Sequence, residues 1–131
     1  MRRQAAATLA ALTVVGAAAG STGAASTRPF ALRPTASCLA RHGVAVGTVR
    51  PSNRRLQALH DLAQKTSREA RYKGAVVGLA FERSTGSAGL LYELLQVPKD
   101  PLRLEQKRNV VLLSPRKPSA LHTLVLRCLR S

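Results

Sequence analysis

Tryptophan is absent from the 131 residues, methionine occurs once, and the aromatic set is limited to Phe30, Tyr72, Phe81 and Tyr92. Rings this few and scattered do not make the stacking platform on which single-stranded nucleic acid is held. Acidic side chains are scarce too: Asp61, Glu69, Glu82, Glu93, Asp100 and Glu105 stand against 21 Lys and Arg. Surrounding cations account for most of them, which argues against carboxylates paired for glycoside-type hydrolysis. Only two cysteines are present, without C-x-x-C spacing, so dithiol-redox motifs and four-cysteine metal sites are excluded. His42, His60 and His122 match no H-E-x-x-H pattern and no serine lies in G-x-S-x-G, so neither zinc-protease nor nucleophile-elbow chemistry is signalled. Both G-x-x-x-x-G-K and G-x-G-x-x-G are missing, which removes two common nucleotide-binding loops. No metal ligand, catalytic residue or cofactor is expected.

What is present begins with "MRRQAAATLAALTVVGAAAGSTGAAS". Two arginines, an uncharged stretch to Gly20 and small residues at Gly23, Ala24 and Ala25 have the layout of a secretory signal peptide over residues 1–25. The stretch is mostly alanine and falls short of the roughly 20 strongly apolar residues of a membrane span. "TASC" lacks the leucine of a lipidation site, and Arg28 and Arg33 intervene before Cys38. A secreted or extracytoplasmic location follows, with no transmembrane span in the mature chain.

In an exported chain two cysteines read by default as one disulfide. Leu121, Leu124, Val125, Cys128 and Leu129 fall at the i, i+3, i+4, i+7, i+8 spacing of one helical face, so the Cys128 sulfur is expected to point inward. A bridge from Cys38 to Cys128 would tie together the two ends of the mature domain.

Removing residues 1–25 leaves 106 of the 131 residues, enough for one domain. Residues 26–36, with Pro29 and Pro34, read as a linker, and 37–131 as a single small α+β domain. Within it "VAVGTV" (Val44 to Val49), "GAVVGLAFE" (Gly74 to Glu82) and "NVVLLS" (Asn109 to Ser114) read as strands, the last apolar on both faces and therefore central. Ser52 to Lys73 reads as one long helix capped by Ser52, with Leu56, Leu59, Leu62, Ala63, Thr66 and Ala70 on one face and acid-first pairs Asp61–Lys65 and Glu69–Lys73. Ser87 to Gln96 and the segment after Pro118 complete about three helices. The expected sheet has three to four strands. "LRLEQKRNVVLL" admits a hairpin before the last strand; without it, the βαβαβα order would make an α/β fold with a three-stranded parallel sheet.

The signal segment, "SCLARHGVAV", the alternating strands and helices, "NVVLLS" and the terminal "LVLRCLR" resemble small exported two-cysteine α+β proteins of high-GC Gram-positive bacteria. The resemblance implies a small secreted bacterial domain and carries over no functional residue.

One loop has chemistry to weigh. "RSTGSAGLL" places Arg83, Gly86, Ser87 and Gly89 between a strand and a helix, where helix-terminal N–H groups and an arginine could hold an anion. More generally, 21 basic residues less Arg2 and Arg3 leaves 19 against six acidic ones, a surplus of 13 in the mature chain. Such a balance favours polyanions. Export and the missing aromatics argue against nucleic acid and for anionic envelope polymers or a phospholipid surface. The functional expectation is a secreted, non-enzymatic binding or envelope-associated protein with a basic surface; a small secreted hydrolase-like enzyme is the alternative.

Overall fold

The computed structural model describes residues 28–50 and 53–131. The signal segment 1–25, the start of the expected linker and the expected cap Ser52 lie outside the described residues. Among the described residues four helices and five strands follow in the order α1 (Leu32–Arg41), β1 (Ala45–Gly47), α2 (Arg54–Leu62), β2 (Ser67–Tyr72), β3 (Ala75–Phe81), α3 (Thr85–Leu95), β4 (Leu102–Lys107), β5 (Val110–Pro115) and α4 (Ala120–Cys128). The strands form one sheet in the order β1-β2-β3-β5-β4, and every neighbouring pair is antiparallel. The fold is α+β, and the parallel α/β alternative and the count of three to four strands are corrected.

Two segments account for the difference. The expected long helix stops at Leu62, and its second half is β2, in which Ser67, Glu69 and Ala70 are buried. The strand turns through Lys73 and Gly74, with φ of 49° and 82°, into β3. Two successive positive φ values are the sign pattern of the tight hairpin turn that matches strand twist, and Gly74 adopts its value without strain. The second segment is the hairpin from Lys107 to Val110, which adds β4 as an edge strand. As expected, β5 is internal and apolar on both faces, with Val110, Val111, Leu112 and Leu113 fully buried.

The expected linker also differs. Leu32–Ala36 open α1, and Pro34 is accommodated because the first helical turn has no intrahelical acceptor for its N–H groups. Side-chain caps start the other helices: Asn53 Oδ1 accepts from Leu56 N at 2.9 Å, Ser84 Oγ from Ser87 N at 3.0 Å, and Ser119 Oγ from His122 N at 3.1 Å. Each satisfies a backbone donor that the helix leaves open.

Alternation along the strands sorts the core into two clusters. Ala70, Val77, Leu79, Phe81, Val110 and Leu112 face α1 and α4, with Leu39, Leu121 and Val125. Ala80, Val111 and Leu113 face α2 and α3, with Leu59, Ala88, Leu91 and Leu95. The sheet is thus covered on both sides by helix pairs, and the first pair is welded by the expected Cys38–Cys128 disulfide, with Cα atoms 5.5 Å apart. Further ties close the same end: Ala31 N donates to Arg130 O at 2.7 Å and Arg130 N to Thr35 Oγ1 at 3.1 Å. Buried Asn109 accepts from Phe30 N at 2.7 Å and donates to Phe30 O at 2.9 Å and Glu82 O at 2.8 Å.

Gly78 sets how closely α2 approaches the sheet. A Cβ there would lie 2.7 Å from Leu56 Cδ2 and 2.8 Å from Leu59 Cδ2, and both leucines are buried. Gly78→Ala is therefore expected to cost about 1–3 kcal/mol, the usual range for overpacking a filled core. Urea unfolding measures it; an unchanged or raised midpoint would show that α2 yields without loss.

Candidate functional site

The loop singled out for anion binding resolves into a helix cap. Ser84, one residue after Arg83, caps α3, its hydroxyl meeting Ser87 N and lying 3.2 Å from Ser87 Oγ. Gly86 and Gly89 fall in the first turns of α3, and Arg83 is exposed. The arrangement brings Arg83, Gly86, Ser87 and Gly89 to one helix start, where the Ser87 N–H is taken by Ser84.

The histidines divide. His122 Nε2 lies 2.6 Å from Glu105 Oε1, linking α4 to β4. His60 keeps a buried Nδ1 without a hydrogen-bond partner. A His42 ring nitrogen and the sulfurs of Cys38 and Cys128 lie within 4.8 Å of one another, a grouping visible in hindsight as the one-turn spacing Cys38-x-x-x-His42. Because the sulfurs are bonded to each other, neither is the thiolate a metal would require.

Most carboxylates have a partner on the chain. Asp61 accepts from Gln57 Nε2 at 2.7 Å, Glu82 from Thr66 Oγ1 at 2.7 Å, and Glu69 from Arg50 N at 2.9 Å and from Arg71. Arg55 grips Asp100 through two bonds of 3.0 and 2.9 Å and also donates to Leu95 O at the end of α3. Among the described residues only Arg55 and Arg71, of all Lys and Arg, pair with a carboxylate. The remaining cations stand without an internal counter-charge.

One concavity gathers unneutralised cations beside apolar walls. A cleft of about 480 Å³ runs between the end of α3 and β4, lined by Tyr92, Val97, Leu102, Leu104, Arg103 and Arg116 among others. Arg116 Nε donates to Asp100 O at 2.7 Å and Arg103 Nη2 to Arg116 O at 3.3 Å. Both guanidiniums are thus positioned by backbone carbonyls and keep their other donors for a ligand. Asp100 also lines the cleft but is committed to Arg55 and to Leu102 N, at 3.0 Å. Burial alone would raise its pKa, yet hydrogen bonds from Arg55 and Leu102, with the charges of Arg55 and Arg116, hold it below the ordinary value. A carboxylate so fixed is an ionised structural anchor rather than a proton carrier poised near neutrality.

Sequence reasoning missed this cleft because Arg116 meets the stretch from Tyr92 to Leu104 only through the β4–β5 pairing. The only advance signals were Arg116 in a basic pair and an acid, Asp100, bracketed by Pro98 and Pro101. No helix among the described residues is long and apolar enough to cross a membrane. No protein-family model, curated protein or solved structure matches the chain.

Proposed function

We propose that the chain is a secreted, non-enzymatic binding protein of the cell envelope, of bacterial type, which holds anionic wall polymer or phospholipid headgroups through its basic surface. The observation that carries this reading is the asymmetry of charge use. Four of the six acids, Glu69, Glu82, Asp100 and Glu105, are engaged by partners within the fold, whereas 19 cations accompany only six acids after residue 25, and most of the cations are exposed. Unpaired surface cations raise the local concentration of polyanions by long-range attraction. The leader-like residues 1–25 and the Cys38–Cys128 bridge both fit an oxidising compartment outside the cytoplasm.

Co-sedimentation with vesicles tests it. The mature chain is expected to pellet with anionic vesicles at about 50 mM salt and to leave them at about 300 mM, since screening between exposed charges tightens over that range. Neutral vesicles should retain far less, because no basic amphipathic helix with aromatic anchors is present among the described residues to insert. Failure to bind anionic vesicles at the lower salt would overturn the proposal.

A further inference from the structure

We propose that the cleft between α3 and β4 is a discrete site for an acidic single-chain amphiphile: one oxyanion head, carboxylate or phosphate monoester, on one apolar chain. This goes beyond adsorption of polyanions, because the site joins two different surfaces. One is the apolar wall formed by Leu102 and Leu104 of β4 with Tyr92, Val97 and Pro98. The other is the pair Arg103 and Arg116, each tethered by a backbone carbonyl, at 3.3 and 2.7 Å, with no carboxylate partner. A guanidinium fork offers parallel donors that match the oxygens of a carboxylate or phosphate.

Charge within the cleft supports an anion rather than a neutral apolar guest. Asp100 is the single acid in the lining, and its oxygens already accept from Arg55 and Leu102 N. Arg55 cancels Asp100, so Arg103 and Arg116 leave a surplus of two positive charges at the cleft. A polymer of repeated charges would use these arginines but leave the leucines wet. A neutral hydrocarbon would cover the leucines and strip water from the guanidiniums without replacement, at a cost. An acidic amphiphile satisfies both walls at once. The volume of about 480 Å³ falls within the range of small-molecule sites, roughly 300–1,000 Å³.

The test uses the mature chain and calorimetric titration with decanoate and with decyl phosphate, each below its micelle concentration. Butyrate and inorganic phosphate serve as heads without a long tail. Decanoate or decyl phosphate is expected to bind one per chain, and whichever binds more tightly identifies the head. Butyrate and inorganic phosphate should bind at least about tenfold more weakly, a difference of about 1.4 kcal/mol. The double substitution Arg103→Gln with Arg116→Gln, and separately Leu104→Asn, should each weaken the long-chain ligand by about tenfold or more. Thermal melts confirm that the variants remain folded. Binding should persist at about 300 mM salt, where diffuse surface adsorption is screened. This separates the cleft from the broader reading, since loss of vesicle adsorption alone leaves the decanoate result standing. No binding of either long-chain probe, equal binding of the short ones, or undiminished binding by the folded double variant would each overturn the proposal.

Discussion

Replacing Asp100 with alanine is expected to lower the free energy of unfolding by about 3–5 kcal/mol, the range for breaking a buried ion pair by removing one partner. The side chains of Arg55 and Asp100 are only 11% and 8% exposed, so most of the charge pair is withdrawn from water although Asp100 borders the cleft. Arg55 would keep its bond to Leu95 O and lose both oxygens of its counter-ion. The converse experiment separates burial from attraction: Arg55→Met combined with Asp100→Leu should recover much of the loss, because apolar replacements leave no stranded charge. Acid should reproduce part of the effect. The Asp100 carboxyl is held below its ordinary value in the fold, so its contribution is present above about pH 4, the unfolded value, and disappears as pH falls through the folded one. Urea midpoints from pH 7 downward should therefore fall more steeply below about pH 4 in the parent than in Asp100→Ala. A loss under about 1 kcal/mol at neutral pH would show the pair to be no better than a surface one.

Removing the disulfide through Cys38→Ala with Cys128→Ala is expected to cost about 2–4 kcal/mol. The cysteines are 90 residues apart in sequence, and chain entropy alone predicts about 4.6 kcal/mol for a loop of that length, of which measured cases usually deliver less. The double substitution avoids an odd thiol, and both positions are buried, so small apolar side chains leave no unpaired polar atom. Denaturant unfolding should show a lower midpoint together with a steeper slope, because the unbridged denatured chain exposes more surface. Non-reducing peptide mapping of the parent should recover residues 38 and 128 in one linked fragment. An unchanged midpoint would mean that Asn109 and the Arg130 contacts hold the ends without the bridge.

Which elements could be read in advance follows from how local their causes are. The Cys128 helix was legible because Leu121, Val125 and Cys128, all buried, recur on one face. β5 was legible because four consecutive apolar residues suit a strand covered on both sides. β2 was not. In "SREARYKG" the pair Glu69 and Lys73 has the spacing of a helical ion pair, yet Glu69 bonds Arg71 and Arg50 N instead. Lys73-Gly74 forms a two-residue hairpin turn, which the helical pattern running in from Leu56 does not announce. α1 was hidden by Pro34, which reads as a breaker unless the helix is known to start just before it. The ion pair beside the cleft was hidden for a different reason. Asp100 meets Arg55 across 45 residues, and spacing along a chain carries no trace of such a meeting.

The two helices that cover one face of the sheet are the first and the last described elements of the chain. A polypeptide delivered from its amino end places α1 early, with Cys38 and Leu39, but its partner α4 is the final helix to arrive. Until residue 128 emerges, Cys38 has no thiol in this fold to join, and Val77, Leu79, Val110 and Leu112 have only half of their helical roof. The hairpins β2-β3 and β4-β5, by contrast, close over two-residue turns and can form while synthesis continues. The roof over this face is thus completed only when α4 meets α1, and the Cys38–Cys128 bond joins those two helices.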